Sequence, residues 1–351
     1  MAYYDGTKLL SLKDINDQQP EIYILVGNRT GGKTTFFNRM LVNHVLKKGT
    51  KFMLIFRYQS EMEEIADKFF KDIGPLFFPD MVMEAEKKSK GLYYNLYIRK
   101  KAEEAIPIHA GYAVSLNSAD KLKRFSHLFS DVSEMLFDEF QSETNQYLGN
   151  EITRFLSLHT TVARGQGEMV RRVPVYMLSN TVSLINPYFV KLGISNRITK
   201  NTRFLKGNGY VMEVNVNLDA AKAQESSSFN KAFAGHKYLE MAKENLYLND
   251  NMTFIDKIDG ASKYVATIKY EGVEYGIRKY EDKGLLHVST SVDKTSRFRI
   301  TVGVDDFSES FLMVSSNAFL IIKLRAYFTQ GCMRFQNQMC KDAFLKAINI
   351  Y

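Results

Sequence analysis

The sequence predicts an α/β domain followed by a smaller α+β domain, and three observations carry that prediction. From Glu21 to about Asn180, continuous apolar runs alternate with amphipathic stretches, the pattern of a parallel sheet covered by helices. The first of those runs ends in G-x-x-x-x-G-K-T, a loop that joins a strand to a helix. From Met252 onward, strand-like runs follow one another at hairpin spacing, and two helical segments close the chain. The 351 residues, 45% hydrophobic and 25% charged, suit about two globular domains.

Taken in order, Ile22-Tyr23-Ile24-Leu25-Val26 is a buried strand, and the helix after it runs from about Lys33 to Leu46. Lys51 to Tyr58 is a second buried strand, followed by an amphipathic helix near Glu61 to Ile73. Tyr93 to Arg99 and Ile106 to Leu116 read as two more strands, paired as a hairpin. Glu134 to Phe137 is a buried strand, Glu151 to Val162 a helix, and Val173 to Ser179 a further strand. Between about Arg197 and Asn249 the character changes. A strand-like piece, Tyr210 to Val216, gives way to a polar Ser-rich segment, Ala220 to Ser228, and then to a helical stretch, Phe229 to Leu248. The last part holds strands at Thr253 to Ile255, Tyr264 to Tyr270, Val273 to Tyr280, Leu285 to Thr290 and Arg297 to Val304, with turn signals at Glu271-Gly272 and Asp282-Lys283-Gly284. Helices are expected at Asn317 to Thr329 and Gln336 to Ile348. The expected organisation is residues 1–198, a linking subdomain over 199–249, and residues 250–351.

Composition narrows the function classes. The longest apolar stretches, such as Ala318 to Ile322, stop far short of the roughly 20 residues that span a bilayer, so no membrane role is expected. The first residues lack a basic region followed by an apolar one, and no signal peptide is expected. Two cysteines, Cys332 and Cys340, make neither a disulfide framework nor a metal set, which fits a reducing cytoplasm. The net charge of +8 permits a polyanionic partner.

The chemistry starts at Gly27, Asn28, Arg29, Thr30, Gly31, Gly32, Lys33 and Thr34, with Thr35 next in line. Glycines let successive N–H groups point inward as an anion nest, and the following helix adds the positive end of its dipole. Lys33 is placed to reach the β- and γ-phosphates, and the Thr34 hydroxyl to ligate Mg²⁺. The strand Met135-Leu136-Phe137 ends in Asp138-Glu139, two carboxylates in the Walker B pattern. Asp138 would hold Mg²⁺ through water, opposite Thr34, and Glu139 would polarise an attacking water. No N-K-x-D motif is present, so ATP is expected rather than GTP. Asn180, ending the strand Leu178-Ser179-Asn180, is the candidate sensor of the γ-phosphate. Arg164 lies in the glycine-flanked loop 161–167, where it could enter a neighbouring subunit's site as a finger. Lys121, Lys123 and Arg124 form a second basic set before the Walker B strand.

These residues together resemble a known family. Gly27 to Thr34, Phe52 to Tyr58, Phe137-Asp138-Glu139-Phe140 and Leu178-Ser179-Asn180 through Asn186-Pro187-Tyr188-Phe189 are similar to the DNA-packaging (encapsidation) ATPase of small phi-29-type podophages. Tyr275-Gly276-Ile277 and Gly331 to Asn337 resemble the end of the same family, so the likeness covers nearly the whole chain. The resemblance implies a RecA-like ATPase domain of the FtsK/HerA and terminase kind, joined to an RNase H-type nuclease domain that has lost its catalytic acids. It implies a homomeric ring, usually of five subunits, that works in the host cytoplasm on the portal of an empty prohead and drives double-stranded DNA inward with ATP and Mg²⁺. Some members also dock on a packaging RNA. By position, Lys33 and Thr34 bind phosphate and Mg²⁺, Asp138 and Glu139 do Walker B work, Arg164 matches the trans-acting finger, and a basic sensor falls within Lys121 to Arg124.

Two alternatives make different demands. A terminase-type motor with an active nuclease needs carboxylates converging on two metal ions, for which Asp256, Asp259, Asp305 and Asp306 are the available acids. A non-motor P-loop nucleotide-binding protein needs only the first domain.

Overall fold

The computed structural model describes residues 4–349 apart from 103–104, 145, 166, 168, 196, 199–201, 216, 218, 220–221, 223–225, 234–235 and 237–253. The chain divides into two compact units, residues 1–192 with 198–249, and residues 193–197 with 250–351.

The first unit is built on one nine-stranded sheet. Its strands are β1 (Ile22–Gly27), β2 (Lys51–Phe56), β3 (Met81–Lys88), β4 (Tyr93–Lys100), β5 (Ile108–Ser115), β6 (Val132–Phe137), β7 (Val175–Asn180), β8 (Phe204–Gly207) and β9 (Tyr210–Asn215), in the order β3-β4-β5-β2-β6-β7-β1-β9-β8. The six strands β5-β2-β6-β7-β1-β9 run parallel to one another, and antiparallel strands close both edges. The centre reads as unbroken apolar runs because both faces are covered: Ile24, Leu25 and Val26 of β1 and Phe52 and Met53 of β2 are fully buried. This is the RecA-like arrangement, and it leaves one strand, β7, between β1 and β6.

Helix α1 (Lys33–Lys48) begins directly after Gly32, whose φ of 83° is a conformation that a side chain would strain. It ends at Gly49, again left-handed, whose N–H closes on the Val45 carbonyl. Phe37, Leu41, Val42 and Val45 form its buried stripe against the sheet. Helix α2 (Glu151–Val162) has the expected bounds and returns antiparallel beside β6.

Three expectations differ from the structure. The helix expected over 61–73 is broken into a 3₁₀ turn, Gln59–Met62, and two short helices, Ile65–Phe70 and Gly74–Phe77. Glu61 accepts hydrogen bonds from the N–H groups of Arg57 and Tyr58 at 2.8 and 3.0 Å and so caps a turn, and Glu64 with φ 57° interrupts the helical path. Strand β3 was not expected. It is an outer strand with one buried side chain, Met83, and the largely charged run Glu84 to Lys88 hides its period. Finally, 204–215, assigned from sequence to a linking subdomain, supplies β8 and β9 to the main sheet. Of the helix expected over 229–248, Ser228–Ala232 is helical and 237–248 lie outside the described residues.

The second unit carries β10 (Lys263–Tyr270), β11 (Val273–Tyr280), β12 (Leu285–Ser289), β13 (Arg299–Thr301), β14 (Leu312–Met313) and β15 (Met333–Phe335), in the order β14-β13-β10-β11-β12-β15. β10, β11 and β12 form an antiparallel meander, and β13 and β14 continue from β10 in parallel. That order and sense is the RNase H-type sheet. Glu271 and Gly272, both with positive φ, make the tight turn between β10 and β11. Helices α3 (Ala318–Thr329) and α4 (Gln338–Asn349) pack Ile321, Leu324 and Phe344 onto Ile268, Ile277, Val288 and Phe335. Of the five strands expected from sequence, Thr253–Ile255 is not one: Ile255 makes only an isolated bridge to Phe335, and Thr253 lies outside the described residues. The set also lacks β14 and β15, whose two and three residues are too short to show a period.

The acids that an active nuclease needs are not assembled there. β10 contains no carboxylate, and Asp256 and Asp259 precede it in the chain. Asp306 instead accepts the Gly272 N–H at 2.9 Å and faces the Lys269 ammonium at 3.8 Å. Among the described residues, no group of three or more His, Cys, Asp or Glu side chains could hold a metal ion.

Candidate nucleotide site

The C-terminal edge of the parallel sheet is where β1, β2, β6 and β7 release their loops, and a cleft of about 660 Å³ opens there. Thr34, Asp138, Glu139 and Asn180 line it, together with Arg29, Arg57, Tyr58, Glu61, Gln141 and Glu143. The loop 27–34 curls tightly against β9. A Cβ at Gly27 would stand 2.2 Å from the Asn215 carbonyl oxygen, so only glycine allows β1 and β9 to remain paired to their ends.

Lys33 is buried, and its ammonium donates to the loop's own carbonyls, Asn28 O at 2.7 Å and Gly27 O at 3.3 Å. It also donates to Asn180 Oδ1 at 3.4 Å. Desolvation lowers its pKa to about 8, against the opposing pull of the Asp138 carboxylate. The acceptors it bonds here are neutral oxygens, and a phosphate in the cleft would supply a charge in direct contact.

The Thr34 hydroxyl donates to Asp138 Oδ2 at 2.7 Å, and Asp138 Oδ1 accepts the Glu139 N–H at 2.9 Å. Burial pushes the Asp138 carboxyl up, with the Thr34 bond, the Glu139 bond and Lys33 opposing. The residues fit a hard divalent cation. One hydroxyl and one carboxylate, both oxygen donors on facing elements, suit Mg²⁺, which keeps most of its water and takes few protein ligands.

Glu139 reaches the cleft from a left-handed backbone, φ 55°, which costs about 1–3 kcal/mol for a non-glycine residue and is found where function needs a side chain aimed. Burial of its carboxyl, then the charges of Asp138 and Glu143, raise its pKa, against Arg29. A raised carboxylate is a stronger base toward water.

What holds Glu139 there was not legible in the sequence. Arg57, ending the β2 segment, donates through Nε to both Glu151 carboxylate oxygens at 3.2 and 3.0 Å and through Nη2 to the Phe140 carbonyl at 2.6 Å. Tyr188 donates to Glu151 at 2.8 Å, and the Leu148 N–H at 2.8 Å. The Phe140 N–H closes on the Leu178 carbonyl at 3.2 Å. Phe140 is therefore pinned at both its N–H and its C=O, directly after the strained residue. The available signal was a charged residue ending an apolar strand on the loop-bearing edge. A second missed contact is the ion pair from Arg29 to Glu143 across the cleft.

The other expected residues fall elsewhere. Thr35 is half-buried in the first turn of α1 and does not line the cleft. Lys121, Lys123 and Arg124 are exposed and outside it, with Lys123 paired to Asp120 at 2.9 Å. Arg164 is exposed one residue beyond the C-cap of α2. There Ala163 O accepts the Arg171 N–H, and Arg171 Nη1 bonds Val132 O at the start of β6. Since α2 has 12 residues and so spans about 18 Å, Arg164 lies at the opposite end of the sheet from its own Asp138 and Glu139.

The family profile of the podovirus DNA encapsidation protein (Gp16) matches residues 1–348. The DNA packaging protein of Bacillus phage phi29 is 28% identical over 344 residues, covering 97% of this chain and 95% of its own. That of Bacillus phage B103 is 29% identical over 321 residues, covering 90% and 93%. Among solved structures, a chain of the bacteriophage Phi-29 viral genome packaging motor assembly superposes with a TM-score of 0.70 at 25% identity, over 99% of this chain and 100% of that one. A chain described as the Phi-28 gp11 DNA packaging motor shares the fold, with a TM-score of 0.57 at 19% identity over 99% of this chain and 98% of its own.

Proposed function

The chain belongs to the podovirus DNA encapsidation protein (Gp16) family and is a viral genome-packaging motor protein, and from that premise we propose that it hydrolyses ATP at the cleft described above to drive double-stranded DNA through the portal of a prohead. The observation that carries the chemical reading is the convergence of Lys33, the Thr34–Asp138 pair, Asn180 and Glu139 on one sheet edge.

In this reading the loop amides and Lys33 hold the β- and γ-phosphates, and Lys33 leaves the Asn28 carbonyl to do so. Mg²⁺ bound at Thr34 and Asp138 would neutralise charge on the phosphate oxygens. Glu139 orients water for in-line attack and takes its proton, and Asn180, already within reach of Lys33, senses the γ-phosphate. The placement of Arg164 away from its own cleft supports a finger supplied to a neighbour in a homomeric ring, five subunits by the family's habit. Lys123 and Arg124, exposed and off the cleft, fit the same inter-subunit role. The ring acts in the host cytoplasm, docked on the prohead, where packaging RNA is a further contact in some members.

Glu139→Gln and Lys33→Ala test the assignment. Glu139→Gln is expected to bind ATP and fail to turn it over, because the amide keeps the shape and cannot take a proton. Normal hydrolysis by Glu139→Gln contradicts the choice of base. Lys33→Ala is expected to lose both binding and packaging.

A further inference from the structure

Asn28 does something that its place among the variable positions of the phosphate loop does not require. It is 3% exposed, and its side-chain amide pairs with the main chain of Asn217 as one peptide group pairs with another. Oδ1 accepts the Asn217 N–H at 2.9 Å, and Nδ2 donates to the Asn217 carbonyl at 2.9 Å. The main-chain carbonyl of the same residue accepts the Lys33 ammonium at 2.7 Å. One residue thus holds the phosphate-seeking cation at one end and residue 217 at the other.

Residue 217 stands two positions beyond the end of β9, which pairs with β1 along its whole length up to Gly27. The chain here lies against the outer wall of the phosphate loop. The Asn215 carbonyl is where a Cβ on Gly27 would be, and the Asn217 Cβ is 3.6 Å from where one on Gly31 would be. From this point the sequence runs on through 249 to the second unit, which begins again at 250.

We propose that Asn28 is a positioning residue that ties the phosphate loop to the chain leaving β9, so that seating a triphosphate is felt at residue 217. The inference rests on the reading of the cleft as an ATP site. When Lys33 turns to phosphate it gives up the Asn28 carbonyl, and the backbone of Asn28 loses that restraint. The side-chain amide clasp on Asn217 remains, so any adjustment of the loop is handed to that segment. Only an asparagine side chain offers one acceptor and one donor at this spacing. Aspartate would set an oxygen against the Asn217 carbonyl, and alanine would leave a buried N–H and C=O without this partner.

Amide hydrogen exchange tests this in the full-length wild-type protein, with no variant whose folding could fail. The 217 amide is expected to be protected in the free protein and to change its exchange rate by about fivefold or more when a non-hydrolysable ATP analogue and Mg²⁺ are added. A 217 amide that exchanges freely, or that is protected but indifferent to the analogue, overturns the proposal. Binding of the analogue, followed in the same sample, is read separately: no binding sinks the ATP-site reading rather than this one. Asn28→Ala supplies the second arm. In it the 217 amide is expected to lose about tenfold in protection together with its response to the analogue, and the DNA packaged per ATP consumed is expected to fall. A unit of merely structural value would lower thermal stability and leave DNA per ATP unchanged, and that result also counts against the proposal.

Discussion

Lys33 is the residue whose charge burial disfavours, and the consequence is measurable. Its pKa of about 8 means that the free protein carries a partly neutral lysine from neutral pH upward. A bound phosphate adds negative charge, raises that pKa and recharges the amine, so binding takes protons up. In metal-free buffer, nucleotide binding is expected to take up a growing fraction of a proton as pH rises from about 7 to about 9, read by calorimetry in two buffers of different ionisation enthalpy. Uptake that is zero throughout that range contradicts the desolvated state of Lys33. At this scale the site was largely legible. Gly27 to Thr34, Asp138, Glu139 and Asn180 are contiguous motifs at strand ends, and the pattern carries its own geometry. Arg57 and Glu151 were not legible, because their pairing joins positions 94 apart and only the packed sheet brings them together.

At the scale of elements, the Arg57–Glu151 pair staples β2, the segment after β6 and α2 into one block behind Glu139. Both side chains are buried, and every oxygen of Glu151 is used by Arg57, Tyr188 or the Leu148 N–H. Removing one partner leaves an uncompensated buried charge, so Arg57→Ala is expected to cost about 3–5 kcal/mol in denaturant unfolding of the first unit. A loss well below 1 kcal/mol would show that the pair is dispensable to the fold. Strands with apolar runs, β1, β2, β6 and β7, stood out in the sequence because burial on both faces leaves no polar alternation. β3 did not, since its exposed charges obey no face, and the helix expected over 61–73 failed because Glu61 spends its carboxylate on capping the preceding turn.

For the whole molecule, the two units match what the resemblance implied in kind: a RecA-like sheet with its cleft, and an RNase H-type sheet whose first strand has no acid. The RNase H order itself was not readable from the sequence, as β14 and β15 are too short to announce themselves. Ring assembly bears on Arg164, which lies far from its own cleft. Arg164→Ala is expected to abolish ATP turnover alone and to recover part of it when mixed with a subunit carrying Glu139→Gln, since each then supplies what the other lacks. Absence of recovery at every mixing ratio contradicts sharing of the site between subunits.

The most direct test of the account is the rate of ATP consumption by the purified protein, alone and with empty proheads and genomic double-stranded DNA. Turnover is expected to be low for the protein alone, to rise when both are present, and to vanish in Lys33→Ala and Glu139→Gln. No ATP consumed by the wild-type protein with proheads and DNA present would contradict it.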